Sequence, residues 1–499
     1  MTSPSSLSPP PPRIEPHVWR IAIVVILGAI MSVLDTTIVN VALDDLSKDL
    51  NSSLDSIQWV VTGYLLALAA VIPVTGWAAR RFGSRRLYLV ALVAFTVGSA
   101  LCGLAWSAGS LVAFRVVQGI GGGMLMPIGQ MILVRAAGPR NLPRVMAAIG
   151  VPIVLAPIFG PTIGGLLLEH AGWQWIFLVN VPIGVTAVVV ALRLLPKDQP
   201  EEAGSLDAIG LGLVATGLVG LTYGLAQSGS AGSLVAASVL GPALIGVVLI
   251  AAFVWRALRI EAPLLDVRLY ANRAFAAASL TTFSLGAALF GAMILMPLYF
   301  QTVRGESAVT TGLLLMPQGI GAAVAMRMSA RATERFGGGL TALGGGIVTV
   351  IATLPFVLIG GGTSYWLIGA AMVFRGFGIG MSMMPSMTAA FAVLRPDQVS
   401  HATPQLNVLQ RVGGSMGTAI LSVVLGNHLD SATRAAGGRP SAGALAGGFG
   451  ATYWWVLGVT AFALIPTALL AVVERRAEQA GHEPAAVGPA AEAALEAAA

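Results

Sequence analysis

Lysine is almost absent from this chain. Among 499 residues only Lys48 and Lys197 carry an ammonium group, and neither follows a glycine-rich loop. A GxxxxGK[ST] cradle for nucleotide phosphates is therefore excluded, and with it an ATPase of the chain's own. Cysteine occurs once, as Cys102 in an apolar run, so neither an internal disulfide nor a thiolate metal site is expected. The five histidines, at positions 17, 170, 401, 428 and 482, show no metal-ligand spacing. Charge of either sign is scarce. Asp, Glu, Lys and Arg together make up 10% of the chain, against roughly 25% in soluble domains. That scarcity excludes the two or three soluble domains that the length alone would allow.

Apolar residues fill the space, at 56% of the sequence with a mean hydropathy of +0.83. A membrane helix needs about 20 mostly apolar residues, and fourteen such runs are present. The first six are roughly 19–43, 57–79, 86–106, 109–133, 144–168 and 173–195; two follow at 207–227 and 234–256. The last six are roughly 273–300, 308–329, 338–360, 364–387, 401–426 and 451–473. Barrel strands are about 10 residues long and alternate in polarity, so the fold class is an all-α polytopic membrane protein. The pattern predicts a six-helix bundle over 19–195, two inserted helices over 207–256 and a second six-helix bundle over 273–473. Linkers at 196–206 and 257–272 join them, with tails at 1–18 and 474–499. The proline- and serine-rich start is expected to be disordered, and the first run is too long for a signal-peptide core.

The net charge of +6 first suggests a nucleic-acid partner. Topology accounts for it instead. With both termini cytoplasmic, 21 of the 28 basic residues fall in inside segments, while only Lys48, Arg304, Arg434 and Arg439 fall outside. The remaining three, Arg115, Arg375 and Arg411, fall inside helices. Gaining or losing one span would scramble this asymmetry, so it supports an even count and a multi-pass cell-membrane protein. All ten tryptophans lie near predicted helix ends, as an interfacial belt requires.

The two bundles share short repeats. Arg81-Phe82-Gly83 recurs as Arg335-Phe336-Gly337, and Phe114-Arg115 with Gly119-Ile120-Gly121 recurs as Phe374-Arg375 with Gly378-Ile379-Gly380. Matching loop positions point to a duplicated six-helix unit, a recurring transporter architecture with its site near the bilayer midplane. Asp35 is the one carboxylate well inside a predicted span, and an acid at that depth is costly when ionised and unpaired. Desolvation favours its protonated form, which suits reversible proton binding; a permanently paired structural acid is the alternative. Arg115, also in the outer half of its span, is the natural partner. Gly413-Gly414-Ser415-Met416-Gly417 matches GxSxG but lies in an apolar helix without the strand and turn of a nucleophile elbow, so no enzyme is expected.

Several motifs resemble one family. Gly76-Trp77-Ala78-Ala79-Arg80-Arg81-Phe82-Gly83-Ser84-Arg85-Arg86 is similar to the loop 2–3 signature of the major facilitator superfamily. Ala156 to Gly165, with Gly160, Pro161, Gly164 and Gly165, resembles its antiporter motif, and Arg115-Val116-Val117-Gln118-Gly119 its span-four motif. Leu34 to Leu43 and Trp173 to Gly184 resemble the fourteen-span drug:proton antiporters of the EmrB/QacA type. The resemblance covers about residues 19–473. It implies proton-driven export of amphipathic small molecules by a facilitator fold arranged 6+2+6, with no cofactor and no nucleic acid. Protons, lipid and a small-molecule substrate are the expected partners, and function as a monomer is expected. Arg80 departs from the loop pattern, which commonly has an acid there; Glu334 supplies one in the second half, beside Arg335 and Gly337. Met31, Thr36, Asn40, Gln118, Arg375 and Arg411 are the expected cavity residues. One intramembrane carboxylate implies one proton per cycle and neutral or monocationic cargo. The alternatives are export of one endogenous metabolite, such as an antibiotic or amino acid, and, from another class, a membrane-embedded enzyme or the membrane part of an ATP-driven pump.

Overall fold

The computed structural model describes residues 15–479 apart from 199, 202, 438 and 439, and contains no strand among them. The expected tails at residues 1–14 and beyond 479 lie outside the described residues. Thirteen helices among those residues are long and apolar enough to cross a membrane. The first bundle comprises α1 (Pro16–Val41), α2 (Ser56–Phe82), α3 (Ser84–Gly103), α4 (Ala108–Gly138), α5 (residues 139–171) and α6 (Gln174–Leu194). Helix α5 continues from α4 across Gly138, whose φ of 62° and ψ of 171° break the helical path. It occupies the place of the fifth expected span and brings the long helices to fourteen. The inserted pair is α7 (Ala208–Ala231) and α8 (Ala237–Ala257). The second bundle comprises α9 (Arg273–Val303), α10 (Val309–Phe336), α11 (Gly338–Val357), α12 (Tyr365–Ala392), α13 (Pro396–Ala436) and α14 (Ala442–Arg476).

Local chemistry sets where these helices begin. Ser53, Ser107, Asp207, Asn272 and Ser307 each accept hydrogen bonds from backbone N–H groups in the first turn of the helix that follows, meeting donors that a helix start leaves open. The short loops before α3 and α11 turn on Gly83 and Gly337, both with φ of 83°, a conformation that disfavours any Cβ. A carboxylate then caps each helix. Asp198, just beyond α6, accepts from the backbone N–H groups of Ser84 and Arg85. Glu474, in α14, accepts from Gly338 and Gly339 at 3.0 and 2.6 Å. An acid from the end of each bundle thus meets the positive end of that bundle's third helix.

The largest buried core joins α1 and α4 to the facing ends of α10, α12 and α13, and so spans both bundles. The inserted pair is tied together by Arg256 and Asp207 at 2.9 Å. Its apolar face rests on Ala69 of α2 and on Val408 and Val412 of α13, outside the junction between the bundles. Most tryptophans are exposed near helix ends. Trp173 is the exception, being 4% exposed and packed edge-on against Phe177. It shares a buried cluster with Ile38, Cys102, Ile176 and Phe177, so this indole belongs to the core rather than to the interfacial belt.

Candidate functional site

Asp35 lies about 28 Å along α1 from Pro16, and Arg115 lies two turns into α4. The structure brings them together. Arg115 Nη1 donates to Asp35 Oδ2 at 2.5 Å, and neither residue has measurable solvent exposure. The other carboxylate oxygen, Oδ1, accepts from Gln118 Nε2 at 2.9 Å and from Asn180 Nδ2 of α6 at 3.1 Å. Arg115 is held in turn by Gln118 Oε1 at 2.8 Å and the Val60 carbonyl at 3.0 Å. Its guanidinium lies 4.1 Å from the centre of the Tyr64 ring. Ser99 accepts from Asn180 at 3.2 Å and donates to the Phe177 carbonyl at 2.8 Å. Helices α1, α2, α3, α4 and α6 therefore meet at one carboxylate. A buried charge is tolerated when paired and hydrogen-bonded in this way.

The other cavity candidates divide between several places. Met31 is fully buried in the core, and Gln118 belongs to the carboxylate network rather than to an open wall. Thr36 donates to the Val33 carbonyl, and Asn40 is exposed at the end of α1, donating to the Thr36 carbonyl. Arg375 is enclosed within the second bundle, with Nη1 donating to Gln318 Oε1 at 3.2 Å and Nε without a partner. It borders a cavity of about 30 Å³ lined also by Leu285, Ala288, Thr349, Ser382 and Thr460. That space suits a water molecule rather than a substrate. Arg411 is half-buried on α13.

The motif glycines make close contacts. A Cβ on Gly164 would come within 2.9 Å of Ile38 Cγ1, and one on Gly160 would strike the Thr37 hydroxyl. Helix α5 thus packs against the turn of α1 that follows Asp35. Gly312 of α10 abuts Thr162 of α5, and a further set of contacts between the bundles lies at the end carrying Arg81, Arg85 and Arg86. There Arg80 touches His401 of α13, Gly76 abuts the Ser400 carbonyl, and Arg144 pairs with Glu334 at 2.6 Å. Deeper in, Asn407 donates to Gln130 Oε1 at 2.7 Å. The Arg80 backbone carbonyl accepts from Glu201, whose carboxylate binds Arg135 at 2.8 Å. Arg81 and Arg335 follow Arg80 and Glu334 in the last turns of α2 and α10 rather than in the loops, and Gly165 follows Gly164 on α5.

A profile of the Major Facilitator Superfamily matches residues 25–418. The chain belongs to the major facilitator superfamily. This facilitator is 39% identical over 418 residues to a multidrug resistance protein B homolog of Mycobacterium tuberculosis, covering 83% of this chain and 77% of that one. It is 34% identical to the methylenomycin A resistance protein of Bacillus subtilis, over 84% and 89% of the two chains. The multidrug export protein EmrB of Haemophilus influenzae is 30% identical, over 81% and 79%. Two of these relatives are named for multidrug resistance or export and one for resistance to methylenomycin A. The solved proton:xylose symporter XylE shares its fold with a TM-score of 0.61 at 14% identity, over 91% of this chain and 95% of that one.

Sequence reading of this facilitator assigned no role to Asn180, Ser99 or Tyr64. Two of them carried a usable signal: Asn180 and Ser99 are polar groups in apolar runs, and such groups seek partners inside a bundle. Tyr64 carries no such signal.

Proposed function

We propose that this transporter is a proton-coupled exporter of amphipathic small molecules in the cytoplasmic membrane, with both termini cytoplasmic, acting as a monomer. The observation that supports this reading best is the buried Asp35–Arg115 pair and its ready-made second state. With Asp35 ionised, three side-chain donors hold the carboxylate. On protonation the new O–H needs an acceptor, and Asn180, whose Nδ2 already donates to the carboxylate, has a buried Oδ1 without a partner that a turn of the amide would present. Arg115 keeps Gln118 and the Val60 carbonyl when its carboxylate neutralises. Both protonation states are thus provided with hydrogen bonds, as reversible proton carriage requires. Motion of the turn after Asp35 is passed directly to α5 through Thr37 and Gly160, offering a path to the junction between the bundles.

One carboxylate gives one proton per cycle. An inward proton gains about 2.3 kcal/mol per 100 mV and about 1.4 kcal/mol per pH unit. A neutral cargo could then be concentrated roughly 500-fold. A monocation exchanged one-for-one moves no net charge and keeps only the pH contribution, about tenfold. Dications fare worse, because their exit against the potential costs about twice the one-charge figure. The name of the methylenomycin A resistance protein favours a second reading, export of a single antibiotic. The test uses everted membrane vesicles and a panel of neutral, monocationic and dicationic dyes. Dye addition should dissipate an imposed pH gradient for neutral and monocationic members only. Transport that ignores the pH gradient would overturn proton coupling.

A further inference from the structure

Arg411 has no counter-ion. It makes no hydrogen bond or ion pair among the described residues, although it lies about 18 Å along α13 from Val399. Arg375 at least has Gln318 and a water-sized cavity, and Arg115 has Asp35. The carboxylates of the second bundle are elsewhere. Glu334 is paired with Arg144, and Glu306 accepts from Tyr365. Asp397 and Asp430 are about 21 and 28 Å away along α13. Asp35 itself is filled by three donors. An unpaired cation at this depth is costly, and this one is half-buried rather than sealed, so a ligand can reach it.

Its direction follows from the helix. Asn407 is one turn earlier on the same face, since residues four apart are neighbours on a helix, and Asn407 crosses to Gln130 of the first bundle at 2.7 Å. The neighbouring faces of α13 are occupied: Val408 and Val412 meet the inserted pair, while Gly413 and Gly417 press on α9. Arg411 therefore points into the junction between the bundles, just beyond the Asn407–Gln130 contact that closes the Arg-rich end. A guanidinium offers only donors, so its natural ligand is an anionic oxygen group.

We infer that Arg411 is the recognition point for an anionic group, carboxylate or sulfonate, on the amphipathic cargo. This rests on the exporter reading and adds the cargo's recognised group. It favours zwitterions and monoanions over the monocations that a one-carboxylate count admits, because that carboxylate is committed to Arg115. Energetics agree, since an exiting anion moves with the membrane potential rather than against it.

The test takes the purified full-length protein and three forms of one fluorescent amphiphile: a free carboxylate, its methyl ester and a quaternary ammonium analogue. Binding is measured by fluorescence anisotropy, and transport in proteoliposomes under an imposed pH gradient. The carboxylate form should bind at least about tenfold more tightly than the ester. Arg411→Gln should remove that preference while leaving ester binding unchanged, and Arg411→Lys should restore part of it. Equal affinity for the carboxylate and ester, or equal loss of all three probes in Arg411→Gln, would overturn the inference. Arg411-dependent binding of the carboxylate without proton-driven transport would instead uphold this site and remove the exporter reading.

Discussion

A single buried carboxylate organises the first bundle, and its partners differ in what they contribute. Arg115 supplies the compensating charge, so Arg115→Ala should abolish coupled transport. Breaking a buried pair by removing one member costs about 3–5 kcal/mol in general. Arg375→Ala should be milder at matched expression, because Arg375 has only Gln318 and a water-sized cavity beside it. Equal tolerance of both changes in an efflux assay would contradict this ranking. Asn180→Leu removes both a donor to the ionised carboxylate and the acceptor available to the protonated one. Loss of a hydrogen bond to a charged group costs about 1.5–3 kcal/mol. Transport should therefore fall at least tenfold in proteoliposomes with the purified variant still monodisperse; unaltered transport would exclude Asn180 from the cycle. Asp35 and Arg115 were legible in the sequence because charge inside an apolar run is conspicuous. Asn180 was less so, since its role depends on a partner 145 residues away.

Helix ends and helix junctions carry the next level of organisation. Gly76 brings α2 against the α13 backbone at Ser400, and a Cβ there would meet that carbonyl oxygen. Overpacking of this kind generally costs about 1–3 kcal/mol, so Gly76→Ala should loosen closure at the Arg-rich end. A cysteine placed at Ser400, in a background with Cys102 replaced, should then be alkylated several-fold faster; an unchanged rate would remove Gly76 from the closure. The glycine turns at positions 83 and 337 were readable as a repeat. The carboxylates that cap the following helices were not, because Asp198 and Glu474 lie more than 100 residues away in sequence. Arg80, which departs from the acid usual in this loop, finds its partner in His401 across the junction, a contact invisible to local pattern.

At the scale of the molecule, the count and class of the helices followed from hydropathy, because a bilayer leaves few other ways to satisfy a backbone. How the bundles face each other did not, since the junction is built from isolated residues such as Gln130, Asn407 and Gly312 with no shared local pattern. Orientation is testable directly. Cysteines replacing Ser53 or Ser441 should react with an impermeant maleimide on intact cells, and one replacing Ser205 only after permeabilisation; any reversal would refute cytoplasmic termini. The central claim, that Asp35 carries the coupled proton, is tested most directly by comparing two modes of Asp35→Asn in proteoliposomes. Exchange of labelled for unlabelled cargo at equal pH should persist, because the alternating bundles are intact. Accumulation driven by an imposed pH gradient should be lost. Full pH-driven accumulation by the Asn variant would contradict the claim.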